Sequence, residues 1–405
     1  MPGAASRGLL PGPGRALWVA ALIALVFGLV AARYVPGDGF TALIQFEPGF
    51  ADRALPALRA TPHHLRASGY DGQFYAQVAL DPGLRDPKAL QRALDAPAYR
   101  ARRILLPALA WVLGGGETAR VLNIYALLNP LFWLGFLVLL LRACRPLTLP
   151  AMLCVTVLAL AGGTLESIRL ALTDLPATVL LLAAALLALR GSPLWGGVLG
   201  ALAGLARDTA AAGAGLVLLP ISPGQGQASG KKPGPLRRAG SLALAVVPVI
   251  AWAFWVGHVF PGSIGQDRGA QDNFGFPLAA AWGRLLTAWH LLQAGSPPWG
   301  QEGFAFAAIA GLHLQALYLL LQPRPRAVLW RMGLPFALLL WFLGPAVWNS
   351  YLAAARALLP MTVAFNLLLL QDLRPAPSGW KPWAWFAAGN FFSVFGIIKF
   401  WTYTA

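Results

Sequence analysis

The sequence is poor in charged residues and in cysteine. Charged residues make up 11% of its 405 positions, against about 25% in an average soluble domain, while hydrophobic residues make up 58%. A soluble protein of this size would need more polar surface, which disfavours a soluble enzyme, a disordered protein and a nucleic-acid-binding protein. The two cysteines, Cys144 and Cys154, are too few for a disulfide framework and are interpreted as packing residues. The composition is typical of a polytopic membrane protein.

Apolar runs account for most of the chain. About 20 apolar residues cross the hydrocarbon core of a bilayer, and runs of roughly that length lie near 16–32, 121–141, 149–165, 170–189, 242–260, 304–321, 327–348, 352–370 and 382–400. Shorter runs, which we expect to be partial, tilted or interfacial helices, lie at 104–116, 194–206 and 209–221. Backbone polar groups in hydrocarbon must be hydrogen-bonded within their own segment. The sequence therefore predicts an all-α fold, a single polytopic transmembrane helical bundle over residues 1–405 with about 10–12 spans.

Two long polar segments interrupt the apolar runs. Residues 34–103 follow the first run and mix both charge signs with prolines, and we expect a large outer, extracytoplasmic loop that contains short amphipathic helices. Residues 221–240 are rich in Gly, Pro, Lys and Arg, which is typical of a flexible cytoplasmic loop.

The net charge of +16 also bears on orientation. Cytoplasmic loops of membrane proteins collect Lys and Arg, so the basic positions indicate a cytoplasmic N-terminus. A phosphate-bearing lipid could use the same charge, whereas no nucleic-acid partner is expected. The first apolar run could be a signal peptide, but its length and the many following runs favour an uncleaved first helix.

A first group of candidate residues lies in the predicted outer loop, in the stretch SGYDGQFYAQVALDP. Asp71 stands between Tyr70 and Gly72, with Gly69 nearby, and these glycines would permit a sharp turn and the close approach of a ligand. Alternatively, Asp71 only caps the short amphipathic helix that the following residues predict. Spacing alone leaves both interpretations open.

A second group lies in the stretch GGTLESIRLALTDLPA, at the predicted outer ends of two apolar runs. Glu166 and Arg169 are three residues apart and can pair on one helical face. They could bind a substrate or form a structural ion pair that neutralises itself. Asp174, two residues before Pro176, could be functional or could cap the following helix.

A third group interrupts an apolar stretch with Arg207 and Asp208, in the motif LARDTA. Burying these charges without partners would cost several kcal/mol, so we expect a facing charge, a cavity or an anionic head group beside them. Arg356 could bind a phosphate or reach the membrane interface. Arg102 and Arg103 are explained most simply as arginines that snorkel to the interface.

The motifs together, in their order, resemble a known family. The stretches YDGQFYAQVALDP, YRARRILLPALAWVLG, RLALTDLPATVLLLAAALLAL and GLARDTAAAGAGLVLLP lie within roughly the first 220 residues, and ARALLP follows later. They resemble bacterial GT-C-type integral-membrane glycosyltransferases, in particular those that act in cell-surface glycopolymer formation.

This resemblance implies a multi-helix bundle in the bacterial inner (cytoplasmic) membrane. Its first outer loop would carry a key acidic residue, here Asp71, and a second acidic residue would be Asp174. The donor would be a sugar on a polyprenyl phosphate, and the acceptor a cell-surface glycan, lipid or protein. In the family Glu is usual where this chain has Asp174 and Asp208. A divalent cation is a candidate cofactor if Asp71 and Asp174 face each other.

The chemistry of sugar transfer is compatible with these residues. A carboxylate must take a proton from the acceptor hydroxyl, and Asp71 is the best candidate. Cations must hold the departing phosphate, for which Arg207 and Arg169 are the best candidates because a guanidinium can bind two oxygens. The full set of expected substrate-binding residues is Arg207, Asp208, Arg169, Glu166, Tyr70, Gln73 and Arg356. The alternative hypothesis is a non-enzymatic transporter or assembly partner for lipid-linked sugars, in which the same groups bind a passing head group.

Overall fold

The fold is helical, as the sequence predicts. The computed structural model describes residues 12–219, 234–261, 272–297, 300–373 and 379–402. In these ranges there is no β-strand, only isolated bridges such as the one between Phe274 and Leu343. The all-α prediction is therefore confirmed.

The helices are numbered in chain order. They are α1 (Gly12–Ala31), α2 (Pro56–Arg59), α3 (Gly72–Leu80), α4 (Pro87–Ala93), α5 (Pro97–Ala101), α6 (Leu105–Gly114), α7 (Thr118–Ala143), α8 (Leu149–Ala159), α9 (Gly162–Arg169), α10 (Asp174–Leu189), α11 (Pro193–Ala206), α12 (Ala210–Leu218), α13 (Pro235–Val259), α14 (Ala279–Gln293), α15 (Gln301–Leu321), α16 (Val328–Phe342), α17 (Pro345–Trp348), α18 (Tyr351–Ala357), α19 (Leu359–Leu373), α20 (Lys381–Asn390) and α21 (Phe395–Thr402). Short 3₁₀ turns lie at Thr41–Leu43, Pro48–Arg53 and Phe391–Val394.

Several helices are long and apolar enough to cross a membrane. In the described ranges six such segments occur: Gly12–Ala31, Thr118–Ala143, Leu149–Arg169, Ala239–Val259, Gln301–Leu321 and Lys381–Trp401. Helices α18 and α19, which meet at a bend of 66°, form a seventh if they are one span. The apolar helices α6, α10, α11 and α16 have only 10 to 16 residues, fewer than the about 20 that cross a hydrocarbon core, so the predicted number of 10–12 spans stays a prediction. The chain is a multi-pass membrane protein.

The predicted outer loop is a folded cap of short helices. Between α1 and α6 it contains α2 to α5, and their apolar side chains pack on the C-terminal end of α13. Phe74 and Val78 of α3 share a buried cluster with Val256 and with Phe260, which directly follows α13. This contact fixes the loop to the bundle at the end of a candidate span.

Contacts between residues that are far apart in the sequence identify the two ends of the bundle. At the end that carries the loop, Tyr125 at the start of α7 donates to the Ala171 carbonyl after α9, with 2.9 Å between the oxygens. At the opposite end, Arg324 and Asp372 form an ion pair of 2.8 Å beyond the C-termini of α15 and near that of α19. Helix α19 begins three residues after Arg356, which contacts Tyr70 of the loop, and its 15 residues extend about 22 Å, so the Arg324–Asp372 pair lies at the end away from the loop.

Two predicted boundaries are wrong. Of the predicted loop 221–240, residues 221–233 lie outside the described ranges, and α13 already begins at Pro235, where proline is favoured as a first helical residue. The predicted run 327–348 does not form one helix, because α16 ends at Phe342 and Pro345 begins α17. The residue before a proline is disfavoured in helical conformation, so the chain breaks at Gly344.

Candidate functional site

Arg356 lies at the break between α18 and α19. Pro360 has no N–H, and in a continuous helix its ring would clash with the carbonyl four residues earlier, that of Arg356. The chain bends by 66° there, and Arg356 is buried. Helix α9 packs tightly against this turn: a Cβ on Gly163 would lie 2.5 Å from the carbonyl oxygen of Ala355. The backbone on both sides therefore fixes where Arg356 projects.

The Arg356 guanidinium joins three parts of the chain. Its Nη1 donates to Oδ2 of Asp174 at 3.0 Å, and its Nη2 donates to the Tyr70 hydroxyl at 3.1 Å. The same Nη2 lies 3.5 Å from Oδ2 of Asp71. One side chain of α18 thus holds together the loop between α1 and α6 and the first turn of α10.

Asp71 occupies the N-cap position of α3, yet its side chain makes no capping hydrogen bond. Its Oδ1 instead accepts from Nη2 of Arg100 at 2.9 Å. Burial opposes ionisation of Asp71, but the guanidinium groups of Arg100 and Arg356 outweigh it and hold the pKa of this carboxyl well below its usual range. The carboxylate is therefore used in the ion network and not as a helix cap.

The glycines beside Asp71 have a structural explanation. A Cβ on Gly72 would lie 2.3 Å from the Leu170 carbonyl oxygen, and one on Gly69 would meet the Gln73 amide at 2.4 Å. These glycines allow α3 to pack against the turn after α9 and against its own loop. The expected close approach of a ligand stays a prediction.

Asp174 has both carboxylate oxygens engaged by arginines. Besides the bond from Arg356, its Oδ1 accepts from Nη1 of Arg207, which follows α11 in an extended conformation. The Asp174 side chain is only 1% exposed. Its geometry is that of a group that positions two guanidinium groups, and a capping role does not describe it.

Arg103 is buried, so the interpretation that it snorkels to the interface is wrong. It donates to the hydroxyls of Tyr75 and Tyr99, and its Nε lies 3.7 Å from Oδ1 of Asp208. The sequence predicts that the Arg207–Asp208 pair needs partners. The structure supplies Asp174 for Arg207 and Arg103 for Asp208.

Sequence reasoning missed Arg100, Asp95, Tyr75 and Tyr99. The Nε and Nη2 of Arg100 donate to the two oxygens of Asp95 at 2.8 and 2.6 Å, while Nη2 also reaches Asp71. A usable signal was present, because Arg100 stands beside Arg102 and Arg103 in the stretch YRARR, directly before an apolar run.

These side chains surround a cavity of about 240 Å³. Its lining comes from the loop, the end of α11, the segment before α14, and α17 and α18: Tyr70, Asp71, Asp95, Ala96, Tyr99, Arg100, Arg103, Arg207, Asn273, Ala346, Val347, Ala353, Arg356 and Ala357. Four arginines and two aspartates line it, so its walls carry excess positive charge. Asp174 and Asp208 stand behind the arginines and are not part of the lining.

Four of the expected substrate-binding residues lie outside this lining: Asp208, which stands beside Arg103, and Glu166, Arg169 and Gln73. Glu166 and Arg169 form a buried ion pair through two hydrogen bonds of 2.9 Å, which is the structural alternative foreseen for them. Gln73 is buried and its Oε1 accepts from the Glu47 amide at 3.3 Å, so it fixes the loop.

A divalent cation does not fit between Asp71 and Asp174 in this arrangement. The Arg356 guanidinium lies between the two carboxylates and contacts both. In the described ranges no group of three or more His, Cys, Asp and Glu side chains is placed to hold a metal ion. We therefore derive no step through a metal.

Comparison with known proteins gives no relative. No protein-family model matches the chain, and searches among curated proteins and among solved structures found no significant match. The assignment of function therefore depends on the site itself.

Proposed function

We propose that the protein is a membrane glycosyltransferase that moves a sugar from a polyprenyl-phosphate donor to a cell-envelope acceptor at the end of the bundle that carries the loop. The observation on which this depends is the bridge from Arg356 to both Asp71 and Asp174 at the arginine-lined cavity. It brings a carboxylate and several guanidinium groups to one place, which is what the reaction requires.

The arginines supply the phosphate site. Arg100, Arg207 and Arg356 all line the cavity, and planar guanidinium groups bind phosphate oxygens in pairs. When the bond between the anomeric carbon and the phosphate oxygen breaks, negative charge grows on the phosphate. Cations already held in place by Asp174 stabilise that charge without reorganisation.

Asp71 supplies the base. Its side chain is 26% exposed and lines the cavity, whereas that of Asp174 is 1% exposed. The acceptor oxygen forms the new bond to the anomeric carbon, and its proton passes to Asp71. Because neighbouring arginines lower the pKa of Asp71, the rate depends mainly on positioning of the acceptor.

A second cavity supports an amphiphilic donor. It measures about 670 Å³ and is separated from the arginine-lined cavity by α17. Ala346 and Val347 of this helix line the arginine-lined cavity, and Pro345 and Trp348 line the second cavity. Among the described residues that line it, Arg284 and Glu302 are the charged ones, and they pair with each other at 2.6 Å. A charged head group and an apolar chain on one molecule would fit these two adjoining spaces.

The test is transfer by purified protein from a radiolabelled decaprenyl-phosphate pentose or hexose to membrane-extracted glycan. Asp71→Asn keeps the side-chain size and removes the base, so we expect loss of transfer with normal membrane insertion. Asp86→Asn is the matched control, because Asp86 caps α4 away from the cavity and Asn is an equally good cap.

Two results would contradict the proposal. If the Asp71→Asn protein transferred sugar at the wild-type rate, Asp71 would not be the catalytic base, and the proposal would lose the group that accepts the proton. Movement of the labelled lipid across vesicle membranes by wild-type protein, without any sugar transfer, would instead favour the transporter hypothesis.

A further inference from the structure

A third cavity, of about 410 Å³, lies within the helical loop and is lined by other residues than the Arg356 site. One wall comes from the 3₁₀ turn Pro48–Arg53 and α2, and the other from α4 and the residue after it. No residue of the proposed transfer site lines it.

The charge of this cavity is positive. Arg53, Arg59 and Arg92 line it together with a single carboxylate, that of Asp52. All three arginines are exposed to solvent. The Arg53 guanidinium lies 4.3 Å from the centre of the Phe50 ring, which restrains its position. An anion of more than one charge is the ligand that such walls favour.

The walls are fixed to the helix that follows Asp71. Gln77, on α3, accepts from the Leu55 amide at 3.0 Å and donates to the Ala93 carbonyl at 3.1 Å. It is 1% exposed. Gln77 is six residues beyond Asp71, which corresponds to about 9 Å along a helix axis. An extended molecule bound between these two walls would therefore lie close to Asp71, at the edge of the proposed transfer site.

The surroundings favour a water-borne ligand over a lipid head group. In the segments that form the cavity, 48–59 and 87–94, no large hydrophobic residue is exposed. Surfaces that rest on a bilayer present aromatic and aliphatic side chains beside their basic residues.

We propose that the cavity lined by Arg53, Arg59 and Arg92 binds the acceptor, and that this acceptor is an oligomeric glycan carrying repeated phosphate or carboxylate groups. The inference rests on the proposed function, since it names the acceptor class of that reaction. Its test does not need the reaction, because binding alone is measured.

The experiment uses full-length protein in phosphatidylcholine nanodiscs and two fluorescent probes, an oligo(glycerol phosphate) and an oligogalacturonate, with neutral dextran as reference. The variant is Arg53→Gln/Arg59→Gln/Arg92→Gln. The control Arg85→Gln/Arg120→Gln/Arg190→Gln removes the same net charge at exposed sites elsewhere. We expect the variant to lose about tenfold in affinity for at least one anionic probe, with the control near wild type.

The affinity should also weaken with salt, because the contacts are exposed ion pairs. The stronger of the two probes would identify phosphate or carboxylate as the recognised group. Equal losses in variant and control, or tight binding of neutral dextran, would overturn the proposal. So would a variant whose only defect is loss of co-purifying phosphatidylglycerol, since that would assign the cavity to the bilayer surface.

The proposal and the proposed function can fail separately. Wild-type protein that binds them through these arginines but transfers no sugar would support the acceptor cavity and contradict the enzyme.

Discussion

Replacing Arg356 by Gln tests whether the ion pairs of Arg356 are buried deeply enough that salt does not screen their contribution to stability. Arg356 donates to Asp174 and Tyr70 and contacts Asp71, and its side chain is 10% exposed. Breaking a buried pair by removing one partner costs about 3–5 kcal/mol. After the substitution Asp174 keeps Arg207 and Asp71 keeps Arg100. We therefore expect the lower end of that range, a loss of about 3 kcal/mol in the free energy of unfolding.

Arg324→Gln is the matched control. Arg324 also donates to a carboxylate and a tyrosine, those of Asp372 and Tyr318, but at the other end of the bundle and with a side chain that is 28% exposed. Partly exposed pairs contribute about 1 kcal/mol or less. The two substitutions thus remove similar contacts at different degrees of burial.

Equilibrium unfolding in mixed dodecylsulfate micelles, followed by circular dichroism, gives both free energies. Raising the salt concentration from about 0.1 M to about 1 M shortens the Debye length from about 10 Å to about 3 Å. The loss in Arg324→Gln should shrink, while that in Arg356→Gln should persist. Equal losses at both sites, or equal sensitivity to salt, would refute the reasoning from burial.

Two further predictions concern packing and pH. Gly163→Ala should lower the thermal midpoint and reduce the free energy of unfolding by about 1–3 kcal/mol, because the added Cβ would overlap a carbonyl of α18. Gly215→Ala is the control, because a Cβ there meets nothing within 4 Å and should cost no stability. Equal shifts of the thermal midpoint in both variants would contradict the packing argument. For Asp71 the pKa is lower in the folded protein than in the unfolded chain, so its stabilising contribution is fully present above about pH 4 and is lost as pH falls towards the folded pKa. The stability gap between wild type and Asp71→Asn should therefore be constant from pH 7 to about pH 5 and close at lower pH, and a gap that widens on acidification would contradict the assigned pKa direction.

Much of the helical architecture could be predicted because hydrophobicity is a local property. Apolar runs mark the cores of nearly all the long helices, and the mixed charges of residues 34–103 mark the loop. The failures occur where a proline acts on a neighbouring turn. Pro345 and Pro360 divide runs that hydropathy alone reads as continuous.

The site could be predicted only in part, because the partners of a charged group are set by tertiary contacts. The cost of burial singles out Arg207 from sequence, and the flanking glycines, the position before Pro176 and the family resemblance single out Asp71 and Asp174. That Arg356 joins Asp71 and Asp174, across separations of 285 and 182 positions, cannot be read from local patterns. Arg103 shows the converse error, since snorkelling is the ordinary explanation for an arginine at the edge of an apolar run, yet two tyrosines and Asp208 hold it inside.

The charges around the cavity balance only when the residues behind its walls are counted. Arg100, Arg103, Arg207 and Arg356 face four carboxylates, two of which lie outside the lining. Under the proposed function, a donor phosphate would therefore compete with aspartates for the same guanidinium groups. Asp71 is the more exposed competitor, so phosphate binding would draw arginines from it first and raise its pKa towards the ordinary value. Under the proposed function, the base becomes effective only after the donor has arrived, which favours donor binding before acceptor attack.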